Sequence, residues 1–301
     1  MKAGRHTGEV MEVDFDRERA WWDAKAAREE QDLGDEAINR ALRWREIERH
    51  LADVQSILSI GGGTGVFSIP LARRGFCVTH VDFSPAMLDI ASHNVQDLEA
   101  ITFLEANAVD LSRFADRSFD LVLNMDGAIS FCGSDAERAI REACRVTRRT
   151  LILTVSNRVA MIPVWLSASV KVAGGLLPAL CAMFDQGEWH QTQFPQNPEL
   201  SAGMTQDYMG AFKAFLPDEL QAILERVGMR VLRCSGLGTL ASLCGQATVE
   251  RVLEDEALLE AFLDLCERFD AEILPNGPGT RQRAGLIAVA QPQGPHAHGP
   301  V

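Results

Sequence analysis

Ser56-Ile57-Leu58-Ser59-Ile60-Gly61-Gly62-Gly63-Thr64-Gly65 opens as an apolar run of strand length and breaks into glycines. Val66-Phe67-Ser68-Ile69 then begins a segment with helical periodicity. Strand, glycine turn and helix, in that order, is how open α/β sheets bind nucleotide cofactors. Glycine lets the backbone turn sharply and approach a ligand closely at the carboxyl end of a strand. Many glycine turns bind nothing, so the reading depends on the sequence around this one.

Downstream, strand patterns at 77–81, 101–104, 119–124 and 151–155 alternate with helical patterns at 66–73, 86–95 and 135–146. Gly75 supplies a helix stop, and Pro85 follows Ser84 at a first-turn position. Strands separated by helices predict right-handed crossovers and a mainly parallel sheet. Further helices are expected from Pro217 and over 249–271, and further strands at 229–234 and 285–290. Upstream, 14–51 reads as two helices, with Trp21, Trp22 and Ala26 at helical spacing in the first. They either pack over the sheet edge or form a lid whose tryptophans touch a ligand. Regularity fails between about 157 and 215. There 159–184 is apolar but interrupted by Pro163, Lys171, Gly174-Gly175 and Pro178, which argues against a membrane span and for an inserted helical cap. The expected organisation is a lid at 1–50, a core at 51–156, a cap at 157–215, the remainder of the core at 216–290 and a disordered tail at 291–301.

Composition narrows the function. The chain has 301 residues, 47% hydrophobic and 24% charged, as in ordinary globular proteins. A formal net charge of −13 argues against a nucleic-acid partner. The nearest thing to a basic patch, Arg145 with Arg148-Arg149, reads as a solvated helix end. Seven scattered cysteines without a CxxC pair suggest reduced, mostly buried thiols and a cytoplasmic location. Residues 1–6 lack the apolar core of a signal peptide, and no metal-ligand spacing occurs.

Asp82 stands at the tip of the second strand, roughly 20 residues beyond the first glycine, where a carboxylate can take both hydroxyls of a ribose. The dinucleotide fingerprint wants a third glycine where Val66 stands, and no Lys or Arg follows the turn to meet a pyrophosphate. Those two features point to a nucleoside without phosphates.

Leu58-Ser59-Ile60-Gly61-Gly62-Gly63-Thr64-Gly65, Val81-Asp82-Phe83-Ser84-Pro85-Ala86-Met87-Leu88, Glu105-Ala106-Asn107-Ala108-Val109-Asp110-Leu111 and Ser118-Phe119-Asp120-Leu121-Val122-Leu123-Asn124 follow one another in this order. Together they resemble the four motifs of the class I S-adenosylmethionine-dependent methyltransferases, over about residues 50–156. The resemblance implies a Rossmann-like α/β three-layer sandwich on a mostly parallel seven-stranded sheet. It also implies S-adenosyl-L-methionine as cofactor, with S-adenosyl-L-homocysteine as product. Gly61, Gly63 and Gly65 would face the methionine part, Asp82 the ribose, and Phe83 and Met87 the adenine. Asn107 and the N–H of Ala108 would meet the adenine edge, and Asn124 and Met125 the amino-acid portion and sulfonium. The sequence departs from the family pattern at Ser59 and Asn107, where the family usually carries acids, and at 145–150, where its Pro-Gly-Gly turn is missing.

For an acceptor that must lose a proton, the candidate bases are His190, Glu188, Asp185 and Asp126, with His190 first because histidine titrates near neutrality. The motifs that accompany nucleic-acid base methylation, and a catechol-type metal cluster, are absent. That leaves a small hydrophobic or aromatic acceptor, such as a secondary metabolite, isoprenoid or quinone-like compound. Surface lipid contact and a homodimer are compatible with this reading. Two other classes stay open: a cofactor-binding or regulatory protein without turnover, and a dinucleotide-dependent oxidoreductase.

Overall fold

In a computed structural model, the structure describes residues 12–28, 35–95, 98–173, 178–189, 211–280 and 284–293. Strands β1 (Ser56–Ile60), β2 (Cys77–Asp82), β3 (Ile101–Glu105), β4 (Phe119–Asn124) and β5 (Thr147–Val155) come first. β6 (Glu188–Trp189) and β7 (Phe212–Lys213) form a separate pair, and β8 (Met229–Gly236) and β9 (Leu286–Pro292) close the series. The main sheet has seven strands in the order β3-β2-β1-β4-β5-β9-β8. The first five run parallel, and β9 runs antiparallel to both of its neighbours. β1 lies between β2 and β4, so strand order reverses at its carboxyl end. A crevice opens at such a reversal because the connections leave in opposite directions.

Alternating side chains along the strands supply the two faces of the core. Leu58, Ile60, Val122, Leu151 and Leu153 face Ala139, Ile140 and Ala143 of helix α5 (Ala136–Val146). Ile57, Leu121, Leu123 and Ile152 face Ile38 and Leu42 of α2 (Asp35–Arg49) and Leu71 of α3 (Ser68–Arg73). β4 is buried along its whole length, as a central parallel strand covered on both sides must be. A third cluster lies outside the sheet. It joins Trp22 of α1 (Phe15–Lys25) and Met87 of α4 (Pro85–His93) to Met161 and Trp165 of α6 (Arg158–Ala173) and Met183 of α7 (Pro178–Asp185), with Trp189 and Phe212 of the small strand pair.

The seven-stranded, mostly parallel sheet agrees with the sequence, and several details differ. α3 starts at Ser68, two residues later than its apolar periodicity, because the glycine turn extends through Gly65. α5 runs directly into β5 without a separate turn, and Thr147 Oγ1 donates to the Ala143 carbonyl at 2.7 Å to close the helix end. The basic group beside this junction is paired: Arg145 with Glu142 and Asp116, Arg148 with Asp120, and Arg149 with the Asp53 carbonyl. The 249–271 segment resolves into helices Gln246–Leu253 and Glu256–Arg268 followed by a π-helical turn. Among the described residues no helix is long and apolar enough to cross a membrane.

Asp120 ties the start of β1 to β4. Its carboxylate accepts from the N–H groups of Gln55 and Ser56 at 3.0 and 3.1 Å and from Arg148 Nε at 2.9 Å. Burial alone would raise its pKa, but the Ser56 and Gln55 N–H groups and Arg148 overcome it and hold the carboxyl down to about 2. A depressed carboxyl stabilises the fold above its unfolded value of 3.8, and the contribution is lost as pH falls through about 2. Asp120→Ala should therefore cost about 2–4 kcal/mol at neutral pH. Denaturant titration at several pH values checks this, with the wild-type and variant stabilities converging in strong acid.

Candidate functional site

The site begins where β1 ends. Gly61 and Gly63 have φ of +59° and +55°, a region that L side chains rarely adopt. A Cβ on Gly61 would also stand 2.2 Å from Ala128 Cβ, so the turn and the segment after β4 approach at backbone distance. Asp82 holds the turn: its Oδ2 accepts from the Gly63 N–H at 2.9 Å, and its Oδ1 accepts from the Ser84 N–H at 2.9 Å. Ser84 caps α4, its Oγ accepting from the Met87 N–H at 3.2 Å. Beneath the turn lies His80, fully buried, with Nδ1 2.8 Å from Ser68 Oγ. Burial pushes His80 down to about 4, against a smaller opposing pull from the Gly63 backbone, so the imidazole is neutral at physiological pH.

Over the turn opens a cleft lined by Phe15, Gly61, Phe83, Ala106, Asn107, Ala108, Ala128, Phe131 and Cys132. Thus four of the expected site residues, Gly61, Phe83, Asn107 and Ala108, converge on one cavity. Asn107 Oδ1 accepts from the Val109 N–H at 3.2 Å, which fixes the local turn. Asp82 is 7% exposed and sits immediately behind the lining. Met87 is turned away from the cleft into the aromatic cluster under α1. Asn124 is buried, and its Nδ2 donates to the Ile60 carbonyl at 3.0 Å, joining the tips of β1 and β4. The Met125 carbonyl accepts from Thr154 Oγ1 at 2.6 Å and from Arg43. Asn124 and Met125 therefore set the shape of the strand tips rather than lining the cleft.

Residues 58–153 match the model of the methyltransferase domain. The chain is 31% identical over 150 residues to the demethylmenaquinone methyltransferase of Paenarthrobacter aurescens, covering 48% of this chain and 56% of that one. It is 31% identical over 106 residues to the magnesium-protoporphyrin O-methyltransferase of Rhodobacter capsulatus, covering 35% and 47%. An S-adenosylmethionine-dependent methyltransferase structure from Methanosarcina mazei superposes with a TM-score of 0.51 at 19% identity, covering 82% of this chain and 97% of that one. Over residues 58–153 the chain is thus similar to the methyltransferase domain, and the likeness to the Methanosarcina structure shows the same fold. The chain spans about half the length of the curated relatives it matches.

The residues of this region fit S-adenosylmethionine. A Cβ on Gly63 would meet nothing within 4 Å, so the turn presents open backbone for a ligand to approach. Among the described residues the cleft lining carries an aromatic face at Phe83, an amide at Asn107 and no charged side chain, which suits a nucleoside without phosphates.

Of the expected bases, the described ones, Asp126, Glu188 and Asp185, do not line the cleft. Asp126 is bound to Arg43, a fully buried guanidinium that also pairs with Glu36 at 2.6 Å and lies 5.1 Å from the Phe67 ring. Glu188 pairs with Lys213 at 3.2 Å on the separate strand pair, and Asp185 is exposed at the end of α7. His190 lies outside the described residues. Sequence reasoning missed Phe15, Phe131 and Cys132, because α1 and the segment after β4 meet the cleft only in the fold. Cys132 is no nucleophile: burial pushes its thiol up to about 12. Beside it stands Glu18 of α1, 5% exposed, its Oε1 accepting from the Ala211 N–H at 2.7 Å. Burial pushes Glu18 up to about 7, against the opposing Ala211 N–H and Arg17.

Two neighbouring glycines should behave differently when replaced. A Cβ on Gly62 would lie 2.4 Å from His80 Cε1, so Gly62→Ala should drive the imidazole off Ser68 and destabilise the fold by about 1–3 kcal/mol. Gly63→Ala meets open space and should cost only about 1 kcal/mol in backbone strain, while obstructing ligand approach. Thermal denaturation of both variants, with and without S-adenosylhomocysteine, separates the two effects.

Proposed function

We propose that this protein transfers a methyl group from S-adenosylmethionine to a small hydrophobic or aromatic acceptor. The observation that carries the reading is the cleft built on the glycine turn at the strand-order reversal, uncharged among its described lining residues, with Asp82 behind it. In this reading Gly61, Gly63 and Gly65 border the methionine part, Asp82 orients the ribose hydroxyls, and Phe83 packs on the adenine. Asn107 and the Ala108 N–H meet the adenine edge, while Asn124 and Met125 keep the β1 and β4 tips in register. Residues 1–50 act as the lid and 157–215 as the acceptor cap on the core at 51–156 and 216–290.

When bound, the cofactor supplies a methyl carbon already activated by a positive sulfur. The protein's task is then to position the acceptor and exclude water. The aromatic cluster suits both. Trp22 stands edge-on to Phe131 at 4.8 Å, and Trp165 stacks on Trp189 at 3.8 Å. Planar apolar acceptors gain most from such walls. The relatives named for demethylmenaquinone and magnesium protoporphyrin agree with an acceptor of that kind.

Calorimetric titration with S-adenosylmethionine and S-adenosylhomocysteine, with NAD as control, tests the reading. Saturable binding of the first two alone is expected. Asp82→Ala should weaken them by about 1–3 kcal/mol, from the loss of charge-assisted hydrogen bonds. Binding of NAD instead, or an unchanged affinity in the variant, overturns the ribose assignment. Binding without methyl transfer to any acceptor would leave a cofactor-binding protein.

A further inference from the structure

Helix α1 turns two side chains inward, Glu18 and Trp22, four residues apart. A tryptophan on that face needs no explanation, but a carboxylate does, because burying one costs free energy unless it is paired. Glu18 is only half satisfied. Oε1 accepts from the Ala211 N–H, whereas Oε2 is buried and has no hydrogen-bond partner among the described residues.

Its position gives that oxygen a use. Phe15, one turn before Glu18 on the same helix, lines the cleft, and so does Cys132, whose thiol feels the Glu18 charge. Trp22, one turn after, packs edge-on against Phe131, which lines the cleft too. Glu18 therefore stands at the wall between the cofactor cleft and the aromatic cluster, where an acceptor would enter.

We propose that Glu18 is the proton-accepting group of the acceptor site, its Oε2 receiving the hydrogen bond of an O–H or N–H on an otherwise apolar acceptor. The proposal rests on the methyl-transfer reading above. In the transfer, the acceptor atom forms its bond to the methyl carbon, and the electron pair of the broken carbon–sulfur bond stays with sulfur. The acceptor's proton moves to Oε2, leaving Glu18 as the neutral acid.

The surroundings suit this role. Among the described residues, the charged groups acting on Glu18 are Arg17 and Asp14 of its own helix turn. The 3₁₀ segment after β4 faces it with Cys132, which stays a neutral thiol, and the approach to β7 with the Ala211 N–H. α4 meets α1 through Asp23, which accepts from Ser84 Oγ and the Ala86 N–H. Raised to about 7, Glu18 is a far better match to a neutral-pH proton transfer than an ordinary carboxylate. Asp126 and Glu188, by contrast, are engaged by Arg43 and Lys213.

Glu18→Gln is the decisive variant, since its amide oxygen still accepts from Ala211 while the base is gone, and Glu18→Asp is its companion. The wild type and both variants are first titrated with S-adenosylhomocysteine, which reports the cofactor site alone. Each is then given methyl-labelled S-adenosylmethionine and a panel of phenols, hydroquinones and aromatic amines across a pH series. The expected result has three parts: product affinity unchanged in Glu18→Gln, labelling slowed by about 100-fold or more, and partial recovery in Glu18→Asp. The wild-type rate should rise with pH through about 7, and that limb should vanish in Glu18→Gln. Independently of turnover, the wild-type minus Glu18→Gln infrared difference spectrum should show one carboxyl band titrating near the same pH. Wild-type labelling by Glu18→Gln, a pH limb that persists in it, or a carboxyl already ionised at acid pH would overturn the proposal. Absence of homocysteine-product binding would sink the cofactor reading itself. Intact binding without labelling of any O–H or N–H compound by the wild type would count against Glu18 while leaving the cofactor site standing.

Discussion

The Asp82 carboxylate is the constraint on which the site depends. One oxygen holds the Gly63 N–H in the turn after β1, and the other holds the Ser84 N–H at the start of α4. Both contacts are charge-assisted and shielded from water, which makes them stronger than neutral bonds at the surface. Through them the end of one strand fixes the connections leaving two. Phe83 stands between Asp82 and the anchored Ser84 in the chain, and it lines the cleft. The β1 turn can lie this low only because Gly61 offers no Cβ to the neighbouring Ala128.

Two buried charges link the N-terminal helices α1 and α2 to this frame in different ways. Arg43 is fully buried and bound through both terminal nitrogens, Nη2 to Glu36 and Nη1 to Asp126 and the Met125 carbonyl, so much of its desolvation is offset by hydrogen bonds in a fixed geometry, although its Nε has no partner among the described residues. It fastens α2 to the tip of β4. Glu18 fastens α1 to the backbone at Ala211 with one oxygen only. A charge bridged to two acidic side chains and a carbonyl holds structure, whereas Glu18 Oε2, buried with no partner among the described residues, retains capacity for a further donor. That difference separates Asp126 from Glu18 more clearly than residue type does.

The apolar stretch after β5 meets another constraint. Sequence between 157 and 189 is too apolar for a surface and too interrupted for a membrane span. Its large residues instead pack against α1 and the small strand pair: Met161, Trp165, Met183 and Trp189 join Trp22 and Phe212. Aromatic contacts at 4.8 Å and 3.8 Å give these walls defined planes rather than a shapeless apolar lining.

The sequence by itself determined the sheet class, the glycine turn and the carboxylate at the β2 tip. Each depends on residues within one strand–turn–helix unit, where local periodicity and backbone freedom are written in adjacent positions. Gly61, Phe83, Asn107 and Ala108 were legible for that reason. Tertiary structure alone decided that Asp126 serves Arg43 and that Met87 turns into the aromatic cluster. It alone brought Phe15, Glu18 and Cys132 to one wall. Those assignments depend on contacts between segments far apart in the chain, as Glu18 is from Ala211, and on burial that only packing creates. A carboxylate on an ordinary helix carries no mark of its future desolvation; the elements folded over it supply that.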